Sequence, residues 1–489
     1  MPARIAAIDL GAESGRVIHA TVDDGRVDIQ TVHQFPSQAV TLARTLRWDV
    51  AAVWHEIRQG LALLARRHGR PDSVGVDSWG VDYVLTRGDE PLLTLPFHYR
   101  DGRCVGAIER AEPKVGRDEI FAETGIQFMP INTIYQLHED VTRRGDILRF
   151  ADRLLLIADY FNWLLSGVPR AEETLASTTQ LFNPRTRGWS GRLADKLGIP
   201  KALLPAIVPA GTVLEVAEPG VADDCGLRET KVIATCSHDT AAAVAAVPAT
   251  GAGNWAYLSS GTWSLLGAEL PSPVITPEAQ KLNFTNEVGF GGTIRLLKNI
   301  VGLWPLQECR REWISAGQDL GYEELTARAA GAASMRSLVD LSDGRFLLPG
   351  DMCRKIADFC RQTGQPAPKS PAGFARCILE SLALAYRRTL RELTRLTGQS
   401  IDRLHIVGGG SRNQLLNQMA SDATGVTVVA GPVEATAIGN ALVQAIALGE
   451  VKDLSHARQI VAGSFQVRTY TPQSAIDWES AAARIAGSI

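Results

Sequence analysis

Across its 489 residues the chain has no uninterrupted apolar run approaching the roughly 20 residues that a bilayer-spanning helix requires. A helical membrane anchor is therefore not expected. Net charge is also nearly absent: −3 overall, with a pI near 6.3. That balance offers no electrostatic basis for nucleic acid or an anionic membrane as a main partner. Cysteines are few and odd in number: Cys104, Cys225, Cys236, Cys309, Cys353, Cys360 and Cys377, with no CxxC pair. This argues against both a disulfide framework and a zinc site, and predicts ordinary buried or half-buried thiols. GxxxxGK(S/T) does not occur, which sets aside a P-loop. No GxGxxG follows the first apolar strand, and GGGSRN at Gly408 falls one residue short of it and far too late for a dinucleotide-binding fold. No low-complexity tract or block of like charge interrupts the chain. MPARIAAIDLG enters a strand by about residue 4 and leaves no room for a signal peptide, so the expected location is the cytoplasm.

What is present points to a two-domain α/β protein. The length exceeds what one hydrophobic core supports, and the apolar share of 45% is ordinary. IAAIDL, RVIHATVD and VDIQTVHQF read as a three-stranded meander. A helix follows from Val50 to His68, where Val53, Ile57, Leu61 and Leu64 keep helical spacing. A meander ahead of an alternating α/β pattern predicts a mixed sheet. KVIATCSHD supplies another strand, which ends at SHDT and runs into an Ala-rich helix. The pattern restarts after about Gly251. A hairpin around SSGTWS precedes a long helix from Ala372 to Leu396 with Gly398 as its stop, then RLHIVGGG, a short helix from about Asn413, the strand VTVVAG and the helix ATAIGNALVQAIALG. The expected domains are residues 1–246 and 247–489, with a hinge between Val244 and Gly253.

The tips DLGAESGR (Asp9 to Arg16) and SSGTWS (Ser259 to Ser264) place small and hydroxyl side chains at turns between apolar strands. Such turns let backbone amides approach phosphate oxygens. Two of them suggest a nucleotide held between two lobes. Asp9 and Asp239 would repel phosphate unless each holds a magnesium ion or takes a proton, both of which are tasks in phosphoryl transfer. A simpler role is open for each motif: DLGAESG as an ordinary hairpin turn, SHDT as a helix cap, GGG as a strand-to-helix turn, Trp79 and Trp263 as packing residues.

Taken together, DLGAESGR, GVDSWGVDYVL (Gly75 to Leu85), PFHYRDGR (Pro96 to Arg103), TGIQFMPINTIYQL (Thr124 to Leu137), SHDTAAAVAAVPA (Ser237 to Ala249), YLSSGTWSLLG (Tyr257 to Gly267), LKNIVGLWPLQ (Leu297 to Gln307) and IVGGGSRNQLLNQMASDATG (Ile406 to Gly425) resemble the sugar kinases of the FGGY family. The likeness runs in order from Ile5 to about Leu448. It implies two actin-like, ribonuclease-H-like domains with ATP and sugar in a cleft, and magnesium as the required ion. The pairing of DSWGVD with NTIYQL and LKNIVGLW implies a 6-deoxy-ketohexose, L-rhamnulose, phosphorylated at its 1-hydroxyl by a monomer or homodimer. L-fuculose or L-xylulose is the alternative substrate within the class. An actin-like ATPase is the alternative outside it, disfavoured by DSWGVD and LKN. A sugar-sensing repressor would need a helix-turn-helix ahead of the first strand.

The resemblance also implies roles residue by residue. Asp239 would be the general base, with Gly80, His238, Thr240 and Asn299 contacting the sugar. Ala12, Glu13, Ser14, Gly15 and Arg16 would form the first phosphate hairpin and Thr262 the second, with Gln307 and Gly409 along the adenosine. Asp9 would organise magnesium through water. Glu13 departs from the small or hydroxylic residue expected at its place, and a carboxylate there has to point outward to avoid the phosphates.

Overall fold

The computed structural model describes residues 2–37, 39–92, 95–251, 253–473 and 476–486. Two compact units emerge. Unit 1 comprises residues 1–250, 269–296 and 435–464; unit 2 comprises 251–268, 297–434 and 465–489. The chain changes unit at 250/251, inside the segment read as a hinge, and two later stretches, 269–296 and 435–464, return to unit 1.

Unit 1 is built on a six-stranded mixed sheet in the order Thr212–Val216, Lys231–Ala234, Ser73–Ser78, Ala3–Leu10, Ser14–Asp23, Arg26–Pro36. The last three form the antiparallel meander, and Ala3–Leu10 pairs in parallel with Ser73–Ser78. Every residue of Ser73–Ser78 is buried, as expected of a strand covered on both faces. Helix Val50–His68 forms where the spacing places it. Asp49 caps it by accepting from the Ala52 amide at 3.0 Å, Arg66, Arg67 and His68 face the negative end of its dipole, and Gly69 at φ 82° stops it.

The opposite face is closed by helix Ala435–Leu448, which arrives from the far end of the chain and carries two buried amides one turn apart. Asn440 Nδ2 donates to Asp77 Oδ2 (2.6 Å) and the Gly75 carbonyl (3.2 Å). Gln444 Nε2 donates to the Ala6 carbonyl (3.2 Å) and to Asn440 Oδ1 (2.6 Å), and Gln444 Oε1 accepts from Ser73 Oγ (2.7 Å). The amides satisfy strand groups that would otherwise be orphaned in a dry interior. Beside them Gly439 lets the helix touch Asp239–Ala245: a Cβ at 439 would lie 1.8 Å from the Ala242 carbonyl oxygen.

Unit 2 repeats the motif. Trp255–Ser260 and Trp263–Leu270 form an antiparallel hairpin, and Trp255–Ser260 pairs in parallel with Arg403–Val407, followed by Thr427–Ala430 and antiparallel Arg468–Tyr470. In each unit, then, the first strand of a hairpin lies in parallel beside a strand from later in the chain. The long helix spans Pro371–Thr397, capped by Ser370 and ended by Gly398 at φ 68°. Six of the seven cysteines are buried and Cys353 is half-buried. No helix among the described residues is long and apolar enough to cross a membrane.

Gly439→Ala is expected to destabilise unit 1 by about 1–3 kcal/mol, the usual cost of overpacking, read as a lower urea midpoint at unchanged slope. A parental midpoint would show that the two helices can part without loss.

Candidate functional site

In unit 1 the site is assembled at the C-terminal ends of the two parallel central strands. Register places Asp9 beside Asp77 on one side and opposite Arg16 on the other. The Arg16 guanidinium forms an ion pair with the buried Asp9 carboxylate. This is a third way, besides a magnesium ion or a proton, to make Asp9 tolerable near phosphate. Asp77, quoted in the motif GVDSWGVDYVL but given no role from sequence, is fully buried. Burial pushes its carboxyl well above the ordinary range, the Asp9 charge adds to the push, and the Asn440 hydrogen bond opposes it. Its Oδ1 has no partner among the described residues.

Asp239 stands a short step away. Its helix, Asp239–Ala245, begins at Asp239 itself with His238 in the cap position and no side-chain cap bond. The capping role considered for Ser237, Asp239 and Thr240 is thus not the geometry found: Asp239 Oδ1 accepts from its neighbour's amide, Thr240 N, at 2.6 Å, and from Thr240 Oγ1 at 3.1 Å. The carboxylate is 34% exposed, and no described residue donates to Oδ2. One oxygen is held and the other is open.

The SHDT segment is tied down by residues that sequence reading passed over. Glu172, fully buried, accepts from Ser237 N (3.1 Å), Thr174 N (2.9 Å), Leu175 N (3.1 Å) and Thr174 Oγ1 (2.5 Å). Thr174 Oγ1 in turn accepts from His238 N at 3.2 Å, and Ser78 N donates to the Ser237 carbonyl at 2.9 Å. Burial pushes Glu172 up to about 8 despite these donors. The string AEET shows at most a local cap for Glu172, since the partner that ties it to SHDT, Ser237, lies 65 residues away.

Gly80 lies in a tight bend against Thr178, where a Cβ would come within 2.7 Å of Thr178 Oγ1. The next residue, Val81, is held at φ 69°, with its carbonyl accepting from Thr133 Oγ1 at 2.8 Å. Asp82 anchors the bend: its Oδ2 accepts from Trp48 Nε1 (2.6 Å), Trp79 Nε1 (3.2 Å) and Tyr99 N (3.1 Å), and its Oδ1 from Gln136 Nε2 (3.0 Å). Trp79 is a buried packing residue, its ring centroid 4.1 Å from that of Trp48. In the first hairpin, the Glu13 side chain is exposed, as its charge requires, and its carbonyl accepts from Ser37 N at 3.1 Å.

Unit 2 gathers a second group. Gly261 N donates to the Trp263 carbonyl (2.8 Å) to close the hairpin tip, and Thr262 receives Trp304 N on its carbonyl (3.2 Å). Gln307 lies on that same helix, Trp304–Ser315, with Oε1 buried and without a hydrogen-bond partner among the described residues. The glycine turn packs against Ser260: Gly408 at φ 85° would place a Cβ 3.0 Å from its carbonyl, and Gly410 one 2.0 Å from its hydroxyl. Gly409 between them faces open space. Thr262, Gln307 and Gly409 are thereby brought to one hairpin. Asn299 is half-buried on the strand Ile294–Val301, in unit 2, whereas Gly80, His238, Asp239 and Thr240 belong to unit 1. Among the described residues no three acidic, histidine or cysteine groups converge closely enough to hold a metal ion.

Two hairpins with small tips, each beside a parallel strand, together with a carboxylate that keeps one oxygen open, are the arrangement expected of a nucleotide-dependent phosphotransferase. Residues 4–246 match the N-terminal domain and residues 256–448 the C-terminal domain of the FGGY family of carbohydrate kinases, and the chain belongs to that family. It is similar to a rhamnulokinase of Bacteroides thetaiotaomicron, 43% identical over 97% of each chain. It is also similar to one of Enterococcus faecalis, 41% identical over 95% of this chain and 93% of that protein. Among solved structures, gluconate kinase from Lactobacillus acidophilus superposes with a TM-score of 0.79 at 18% identity, covering 100% of this chain and 96% of that one. Xylulose kinase from Rhodospirillum rubrum gives 0.78 at 20%, covering 99% and 98%. The fold is therefore the two-domain α/β fold of these sugar kinases, of the actin-like ATPase type.

Burial raises Asp82 from 3.8 to about 6. Between those values the unfolded chain releases the proton while the folded protein retains it, so rising pH costs stability across that window. The stability of the parent relative to Asp82→Asn is expected to fall by roughly 1.4 kcal/mol per pH unit there and to level off above it, as read by urea unfolding at a series of pH values. A pH-independent gap would mean that Asp82 is not a buried, late-titrating acid.

Proposed function

We propose that this chain transfers the γ-phosphoryl group of ATP to the 1-hydroxyl of L-rhamnulose, giving L-rhamnulose 1-phosphate and ADP, in the cytoplasm. The observation that carries the chemistry is Asp239: one carboxylate oxygen is fixed by Thr240, and the other is left without a protein donor. The sugar follows from relatives above 40% identical over nearly the whole chain that bear the name rhamnulokinase.

In this reading the open oxygen of Asp239 takes the proton of the sugar's primary hydroxyl as that oxygen attacks phosphorus, and Gly80, His238, Thr240 and Asn299 contact the sugar. Phosphoryl transfer asks mainly for positioning and charge neutralisation. The strap through Glu172 and Thr174 serves the first of these by holding the backbone amides of Ser237 and His238. The hairpin at Ala12, Glu13, Ser14, Gly15 and Arg16 receives phosphate through its backbone, Glu13 contributing main chain while its carboxylate points to solvent. Thr262 serves the same purpose in unit 2. Gln307, with a buried acceptor lacking a protein donor, and Gly409, with open space over its Cα, suit the adenosine.

A magnesium ion, when bound with ATP, would neutralise phosphate charge. Asp9 and the unpartnered Oδ1 of Asp77 suit such an ion through water rather than as a complete ligand set, since no three-residue cluster is present among the described residues.

Asp239→Asn should lower turnover with L-rhamnulose by about 10² to 10⁴, the usual contribution of a general base, while ATP still binds. Because an Asn oxygen can also accept from Thr240 N, thermal stability should move by only a few tenths of a kcal/mol. A variant that keeps more than about a tenth of parental turnover would sink the assignment. For Asp9→Asn the expected outcome is a raised magnesium requirement in a folded protein, checked by magnesium titration; a parental requirement would reduce Asp9 to an ion-pair partner of Arg16. ADP release measured over a panel of ketoses tests the substrate, and a preference for L-fuculose or L-xylulose would replace L-rhamnulose.

A further inference from the structure

We infer that Arg295, braced by Glu287, fixes the tautomer of His238 and through it the orientation of Asp239, which makes Arg295 and Glu287 positioning residues for proton abstraction. This deepens the function proposed above and rests on Asp239 being the base.

The geometry is a chain of four side chains, of which Glu287, Arg295 and His238 are buried and Asp239 is partly exposed. Arg295 is fully buried on the strand Ile294–Val301, with Nε donating to the Val288 carbonyl at 3.2 Å. Its Nη2 lies 3.1 Å from Glu287 Oε2 and 3.1 Å from His238 Nδ1. A guanidinium has donors only. The ring nitrogen facing it must therefore present a lone pair, and the hydrogen of the neutral imidazole resides on Nε2. That nitrogen is 3.4 Å from Asp239 Oδ1, the oxygen already held by Thr240. Such contacts commonly tighten when substrate completes a site.

Glu287 Oε2 also approaches Nδ1, at 3.4 Å, but its shorter contact is with Arg295. The Glu287 side chain is itself buried and pairs with the Arg295 guanidinium at 3.1 Å. It thus supplies the charge without which Arg295 would be an uncompensated buried cation. With the hydrogen on Nε2, the ring turns a positive edge rather than a lone pair toward Oδ1, the oxygen that Thr240 N and Thr240 Oγ1 already hold. The free lone pairs are left on Oδ2, the oxygen open to the incoming hydroxyl. If the hydrogen sat on Nδ1 instead, a ring lone pair would face the carboxylate and push it away.

The test uses the full chain labelled with ¹⁵N-histidine, with two-bond ¹H–¹⁵N correlation spectra at neutral pH and the His238 signals identified by their loss in His238→Gln. The expected result is a neutral ring protonated at Nε2. A ring protonated at Nδ1, or at both nitrogens, overturns the inference. The double variant Arg295→Met/Glu287→Leu removes both buried charges together and leaves neither uncompensated. In it His238 should become a mixture of tautomers and kcat should fall about 10- to 100-fold, as misplacing a reacting group does, with the KM for ATP unchanged. Parental tautomer and kcat in a folded double variant would also overturn it. Should that variant fail to fold, the spectrum of the parent decides alone. A parent that shows the Nε2 tautomer but phosphorylates no ketose would instead discard the function on which the inference rests.

Discussion

Unit 1 depends on one contact: the polar face of helix Ala435–Leu448 against the strands Ala3–Leu10 and Ser73–Ser78. Two buried amides, Asn440 and Gln444, replace water for groups on both strands, and Gly439 removes the side chain that would hold the neighbouring helix away. The net worth of each hydrogen bond is modest, but leaving a buried group unpaired costs about 1–3 kcal/mol. The arrangement therefore tolerates little change. It also sets the chemistry, because Asn440 holds one oxygen of Asp77 and leaves the other, Oδ1, without a partner beside Asp9.

From that base the site follows by register. A parallel pairing puts Asp9 and Asp77 side by side, and the antiparallel hairpin puts Arg16 opposite Asp9. Two carboxylates in a dry place cannot both be left bare; Arg16 compensates one, and burial pushes the other toward its neutral form. Behind Asp239, Glu172 collects four donors and ties SHDT to a segment that carries no nucleotide or sugar motif of its own. The carboxyl groups differ in what they face: Asp82 and Glu172 are spent on donors from the surrounding fold, Asp9 is paired with Arg16, and Asp239 keeps one oxygen without a protein donor.

Much of this was legible in the residues. Helix Val50–His68 formed at its expected ends: the apolar stripe read from its spacing agrees with the Asp49 cap and Gly69 stop found in the structure. The two hairpins, the mixed sheet and the long helix ended by Gly398 likewise rest on local signals. Glu13 was the one departure in the first hairpin, and its exposed side chain resolves it by elementary electrostatics. Asp77, Glu172, Glu287 and Arg295 were not legible, because each acquires its meaning from a partner distant in sequence: Asn440 for Asp77, Ser237 for Glu172, His238 for the other two. A carboxylate in a string such as AEET or FTNE looks like any solvated acid until its surroundings are known.

The sequence by itself determined the period of each helix and strand, the hydroxyl- and glycine-rich tips, and the presence of two isolated acids, Asp9 and Asp239, next to turns. Those are properties of residues within a few positions of one another, where propensity and capping act. Only the tertiary structure decided that residues 269–296 and 435–464 belong with the first unit, that Asp9 is neutralised by Arg16, and that Asp239 begins its helix with one oxygen held and one open. The physical reason is that burial and charge compensation are sums over everything nearby in space, and most of what lies near these side chains comes from elsewhere in the chain.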